Sequence, residues 1–385
     1  MDLSKATTIQ IFSKLEQQWL SNFDSNNKKT RILCIDGGGT TAECAGAALI
    51  HLERQIRLAA GDNTLSISDF FDLIAGAGLG AILAALLLAD NGSGRPLFSA
   101  NDAVSFLSSK CRLLFNPRRT LFFKRQGFSG KSMEKVLKEV FKKPDGKWMT
   151  LMDTCKPLLV PCFDLKTSAP LVFSKADAAE SSSFDFELWK VCRATSATPG
   201  LFKPFTFSSV NGKTICAAID GGIVMNNPGA AAVTHVLHNK RDFPNVATVD
   251  DLLVLSLGNG SSSFRSIPAP ERSRSRYGNV FSVVGIASDG ASEAVDQLLG
   301  NAFCWNREDY VRVQANGSAS VGRLGSINEG QRMLRERGIE TLPFGGKKLL
   351  KENNGECIDK FVDRLLARGG TVPNSPCTSF FGDGR

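Results

Sequence analysis

Short apolar runs that end in glycine and feed directly into helical stretches are the feature that most restricts what this 385-residue chain can fold into. Ile32-Leu33-Cys34-Ile35 runs into Asp36-Gly37-Gly38-Gly39, and Phe70 to Ala75 runs into Gly76-Ala77-Gly78-Leu79-Gly80. Further apolar runs stand at Pro157–Val160, Ala169–Phe173, Ile215–Ile219, Leu252–Leu257 and Tyr310–Val313. Helical spacing predicts helices at 43–58, 81–89, 131–142, 229–239, 281–299 and 357–367. Strands alternating with helices argue for βαβ units and a mostly parallel sheet, an α/β fold.

Composition sets the outer limits. With 42% apolar and 22% charged residues the chain has ordinary globular content and enough apolar mass for a large core. A formal charge of +8 favours anionic partners. Nothing interleaves aromatic with basic residues as a nucleic-acid reading module does, so no nucleic-acid partner is expected. The longest apolar run, Ala81 to Ala89, is about half of what a membrane span needs. The ten cysteines form no Cys-x-x-Cys pair, and the chain opens on Met1-Asp2-Leu3-Ser4-Lys5, so reduced thiols and a cytoplasmic location are expected. His235 and His238 lie three apart without a completing ligand set, so no metal and no cofactor are expected.

Three glycine-rich turns carry the chemistry. Asp36-Gly37-Gly38-Gly39-Thr40-Thr41 would present consecutive backbone N–H groups ahead of a helix, as an oxyanion or phosphate site does. A dinucleotide fingerprint starting at Gly37 fails at Ala42, and Gly127-Phe128-Ser129-Gly130-Lys131-Ser132 lacks the first glycine of a P-loop because Arg125 stands there. The Gly76–Gly80 turn has the strand, turn and helix order in which α/β hydrolases display a nucleophile, with glycine at position 78. Asp220-Gly221-Gly222 closes the run Ile215–Ile219, where an aspartate can serve as a general base.

In this order and at these separations the three turns resemble the patatin-like phospholipase family, which uses a Ser-Asp dyad and no histidine. The likeness runs from Arg31 to Pro228 and includes Cys192-Arg193-Ala194-Thr195-Ser196-Ala197-Thr198-Pro199-Gly200-Leu201-Phe202, similar to the family's segment ahead of its Asp-Gly-Gly strand. The resemblance implies a three-layer α/β/α fold, an oxyanion loop at Gly37, Gly38 and Gly39, the nucleophile position at Gly78, and the dyad aspartate at Asp220, followed by Gly221 and Gly222. Two departures accompany the missing serine: Thr41 stands where the family usually has Arg or Lys, and Ala42 where it usually has Gly. A plant branch of patatin-related proteins with glycine at the nucleophile position is similar.

The resemblance therefore implies a lipid acyl hydrolase homologue without its nucleophile, a pseudoenzyme of lipid metabolism that works by binding lipid or an acyl chain. The alternative is a residual lipid acyl hydrolase of the phospholipase A or galactolipase type, in which Asp220 activates a water. Phospholipid, galactolipid or a membrane surface is the implied partner, met peripherally. The candidate contact segment is Asn116 to Arg125, where Phe122 and Phe123 are flanked by Arg118, Arg119 and Lys124.

Four regions are expected. Residues 1–30 form an amphipathic helix with Ile11, Phe12, Leu15, Trp19, Leu20 and Phe23 at helical spacing, plus a polar linker. Residues 31–230 hold the core with the three turns, 231–368 continue the same α/β domain, and 369–385 form a disordered tail. An Arg/Ser-rich loop is expected at 260–278.

Overall fold

The computed structural model describes residues 29–37, 43–90, 92–115, 128–260, 276–315, 327–342 and 346–367. The chain enters on β1 (Thr30–Ile35), then α1 (Glu43–Ala60), β2 (Leu73–Gly76), α2 (Gly78–Leu88), α3 (Ala100–Leu114) and α4 (Gly130–Val140). It continues through β3 (Leu158–Asp164), β4 (Ala169–Ser174), α5 (Lys175–Glu180), α6 (Leu188–Thr195), β5 (Phe205–Ser208) and β6 (Ile215–Asp220). Next come α7 (Gly222–Met225), α8 (Gly229–His238), β7 (Leu252–Leu257), α9 (Arg276–Ala302) and β8 (Tyr310–Val313). Helix α10 (Ile327–Arg335), the hairpin β9 (Arg337–Leu342) and β10 (Gly346–Asn353), and α11 (Asn354–Ala367) complete the described chain.

Eight strands form one sheet in the order β5-β6-β3-β2-β1-β7-β8, with β4 also paired to β3. The pairs β1–β2, β1–β7, β2–β3 and β7–β8 are parallel, whereas β3–β4, β3–β6 and β5–β6 are antiparallel. The expected mostly parallel sheet is thus present, with an antiparallel flank. Because successive strand residues point to opposite faces, β1 sends Leu33 and Ile35 into one core and Ile32 and Cys34 into the other. Strand β7 alternates in the same way, with Leu253, Leu255 and Leu257 against Leu252 and Val254. The first core is covered by α1, α2, α3 and α11, the second by α8 and α9, which gives the three layers.

Helix α2 is buried along its whole length. That is why its sequence, Gly78-Leu79-Gly80-Ala81-Ile82-Leu83-Ala84-Ala85-Leu86-Leu87-Leu88, is apolar on every side rather than along one stripe. The strand before it is shorter than the apolar run from Phe70 predicts. Asp69 accepts hydrogen bonds from the Ser66 N–H and hydroxyl, and a single 3₁₀ turn forms at Ile67–Asp69. The Asp72 carboxylate then takes the Arg31 N–H, so extended pairing begins only at Leu73.

Candidate functional site

The glycine turns meet where β1, β2 and β6 end. The β2–α2 turn is tight enough to exclude side chains at two positions. A Cβ on Gly76 would lie 2.5 Å from the Gly80 carbonyl oxygen, and one on Gly80 would lie 2.4 Å from those of Ile35 and Asp36. A Cβ on Gly221 would sit 2.2 Å from the Pro161 oxygen. These three glycines are present because backbone occupies the space a side chain would need.

Gly78 differs from them. Its φ is +51°, the left-handed conformation that glycine adopts without penalty, but the space beside it is open. A Cβ built there would be 3.6 Å from Gly37 Cα, 3.9 Å from Asp220 Oδ1 and 4.0 Å from the Thr195 carbonyl oxygen, all ordinary contacts. A hydroxyl on that Cβ would reach the Asp220 carboxylate at about hydrogen-bond distance. The turn is held by Thr195, whose Oγ1 accepts from the Gly78 N–H at 3.1 Å and donates to the Pro161 carbonyl at 2.7 Å. This ties the elbow to β3.

Asp220 ends β6, and its N–H donates to the Ala197 carbonyl. Oδ1 accepts from the Gly222 N–H at 2.8 Å, and Oδ2 accepts from the Thr198 hydroxyl at 2.6 Å. Burial pushes the carboxyl above the usual aspartate range, with the Thr198 and Gly222 hydrogen bonds opposing it. Such a group is better suited to take a proton near neutral pH than an exposed aspartate. Gly37 approaches from the end of β1, its N–H donating to the Asn226 carbonyl at 3.0 Å. Its α-hydrogen faces the Asn226 side chain, where an added Cβ would be 2.5 Å from Oδ1.

Gly37, Gly78, Asp220, Gly221 and Gly222 are therefore brought together. Gly38 and Gly39 lie outside the described residues, as do Thr41, Ala42, Arg118, Arg119, Phe122, Phe123 and Lys124, and residues 1–28, 261–275 and 368–385. His235 and His238 lie in the last turn of α8, with the His235 ring edge-on to Phe243. A cavity of about 590 Å³ between α9, β8, the β9–β10 hairpin and α11 includes neither Gly78 nor Asp220 in its lining.

A buried network behind Gly37 has no counterpart in the sequence motifs. The Arg312 guanidinium on β8 grips the Asp36 carboxylate with two nitrogens, at 2.8 and 2.5 Å, and also donates to the Ser256 hydroxyl at 2.8 Å. The Ser292 hydroxyl on α9 donates to the same carboxylate at 2.9 Å, and the Asn259 amide donates to the Asp36 carbonyl at 2.7 Å. Burial opposes the charge on Arg312, but Asp36, together with Tyr310 and Asp296, more than offsets it and keeps the guanidinium protonated. The first glycine turn is thus anchored to β7, β8 and α9 through the residue that precedes it.

The sequence profile described as patatin-like phospholipase matches residues 33–233, the stretch that holds all three turns. Probable inactive patatin-like protein 9 of Arabidopsis thaliana is 62% identical over 379 residues, covering 98% of this chain and 96% of that protein. Patatin-like protein 6 of the same plant is 41% identical over 88% of this chain and 71% of its own length. Patatin group D-2 of Solanum tuberosum is 27% identical over 90% and 91%. With a profile match over the converging turns and a relative aligned nearly end to end, this chain belongs to the patatin-like phospholipase family.

Proposed function

We propose that this protein is a lipid-binding member of its family that has lost hydrolytic turnover. The observation that carries this reading is Gly78: an elbow with φ of +51° and room for a Cβ 3.9 Å from Asp220 Oδ1, on a residue that has no side chain to attack with. Gly37, Gly38 and Gly39 act as the oxyanion loop, and Asp220 is the remaining general base. In acyl-transfer sites loss of the serine costs about 10⁶ in rate, while binding and the oxyanion donors alone leave roughly 10³–10⁴ over water. Similarity to a relative named probable inactive patatin-like protein 9 supports the same reading.

The binding role is tested with an ether-linked phospholipid and an ether-linked galactolipid, which cannot be hydrolysed, titrated calorimetrically into the full chain. Saturable binding of either is expected; no binding of either contradicts the proposal. Membrane contact through Arg118, Arg119, Phe122, Phe123 and Lys124 belongs to the same reading. Phe122→Ser combined with Phe123→Ser is expected to weaken sedimentation with anionic vesicles by about fivefold or more. Unchanged sedimentation removes that segment from the account.

A second reading rests on the raised pKa of Asp220 beside the open space at Gly78. There Asp220 would deprotonate a water that attacks the ester directly, without an acyl-enzyme. Phospholipid hydrolysis by the wild type that disappears in Asp220→Ala would establish this reading in place of the first. Among the described residues no helix is long and apolar enough to cross a membrane.

A further inference from the structure

Helix α9 has one side buried against the protein and, opposite it, an exposed side that is largely apolar. Ser292, Asp296, Leu299 and Phe303 face the body of the protein and are buried. The other side exposes Val283 (64%), Ile286 (59%) and Leu298 (58%), and Trp305 just beyond the helix is 91% exposed. Between these large residues the same side carries Ala287, Gly290 and Ala294, all exposed. At 100° per residue the seven exposed positions from Val283 to Asn301 fall within about 120° of the helix circumference, and none of them is charged. Surface helices ordinarily put charge on the solvent side, and an exposed apolar face of this kind is a docking surface.

We infer that the occupant is the chain's own amino-terminal segment, residues 6–23. The strand β1 starts beside β7, with Thr30 in register with Leu252, and β8 starts at the same edge, with Val254 in register with Tyr310. Lys29, the first described residue, bonds through Nζ to the Asp309 carboxylate, seven positions past the end of α9. The segment therefore joins the fold beside the loop that follows the carboxyl end of α9. Residues 24–28 are polar and reach at most about 17 Å. Ile11 to Phe23 as a helix spans about 18 Å, against about 22 Å from Val283 to Leu298. With residue 23 near Leu298, the segment runs in the same direction as α9, and Ile11, Phe12, Leu15, Trp19, Leu20 and Phe23 supply a matching apolar stripe.

The small residues in the middle of the face allow a close approach. A Cβ on Gly290 would meet nothing within 4 Å, so a Leu side chain or a Trp ring from a second helix can settle there at ordinary interhelical spacing. A short tether also holds the segment at millimolar effective concentration over this face, which a second copy or a lipid surface must outcompete.

Hydrogen exchange on the full-length protein, read by mass spectrometry, tests this in both directions. Leu15→Asp with Trp19→Asp is expected to speed exchange in peptides spanning 283–302 by about fivefold or more. Ile286→Asp with Leu298→Asp is expected to speed exchange in peptides covering 6–23. The first pair changes residues outside the described fold, so it decides the matter even if the second pair destabilises the protein. Exchange at 283–302 that ignores the Leu15 and Trp19 changes overturns the inference. A dimer dissolved by Ile286→Asp with Leu298→Asp, with exchange at 6–23 unchanged, would assign the face to a second copy and also overturn it. Protection of 283–302 only on adding phosphatidylcholine and phosphatidylglycerol vesicles would assign it to a lipid surface, with the same consequence.

Discussion

Arg312→Leu is expected to lower the free energy of unfolding by about 3–5 kcal/mol, measured by denaturant titration, because it strands the Asp36 carboxylate in the interior. Asp36 is 1% exposed, and its two oxygens receive the two guanidinium nitrogens and the Ser292 hydroxyl. With Arg312 gone, one hydroxyl is left to satisfy a buried charge. Replacing both partners, with Asp36→Leu added to Arg312→Leu, is expected to be less harmful than the sum of the single changes, since no unpaired charge remains. A double variant that loses as much as the two singles added together would show that the pair acts independently of charge burial. The network is also the support on which Gly37 is carried, so the single variants should lose lipid binding along with stability.

Gly80→Ala is expected to cost about 3 kcal/mol or more, or to abolish soluble expression, for a different reason. The added Cβ would stand 2.4 Å from the carbonyl oxygens of both Ile35 and Asp36. Those are backbone atoms of the central strand and its exit, and they cannot rotate aside as a side chain would. Relief requires α2 to move away from β1, and α2 is buried on all sides. Gly300→Ala in α9 is the control: its methyl would meet nothing within 4 Å, and stability should be unchanged or slightly higher. Thermal and denaturant unfolding of the two variants side by side separates a packing clash from a general intolerance of substitution.

The central strands were legible because the sheet is buried on both faces. Strands such as Leu252–Leu257, apolar at every position but Ser256, read as nearly unbroken apolar runs, and glycine marks the turns after β1, β2, β6 and β7. Helix α3 was not anticipated, because only Ala100, Ala103, Leu107 and Leu114 of its fifteen residues are buried and the apolar period is correspondingly faint. Its signal was local instead: Ser99 and Asp102 form a reciprocal capping box at its start. The β9–β10 hairpin carries Lys347 and Lys348 on a largely exposed strand, which gives a hydrophobic pattern little to register.

The site divides in the same way. Gly37, Gly78 and Asp220 were legible because each ends a strand at a turn that only glycine or a small loop can make. Thr195 and Thr198 were visible as part of a resembling segment, but their work, holding the Gly78 N–H and the Asp220 carboxylate, depends on where α6 ends in space. The Asp36–Arg312 pair spans 276 residues and follows no period, so only the assembled β1–β7–β8 edge brings it together.

The most direct test of the account is ester hydrolysis by Gly78→Ser beside the wild type and beside Gly78→Ser with Asp220→Asn. Serine at a φ of +51° should lower stability by about 1–2 kcal/mol, so folding is checked first by circular dichroism. Gly78→Ser is expected to hydrolyse a short-chain chromogenic ester at least about 100-fold faster than the wild type, and Asp220→Asn to remove the gain. The sign of its pH dependence is also fixed: the rate should rise as Asp220 loses its proton, at a pH above the usual aspartate range because burial raises that pKa. A folded Gly78→Ser variant no faster than the wild type would contradict the claim that this elbow and this aspartate still form a site lacking only its nucleophile.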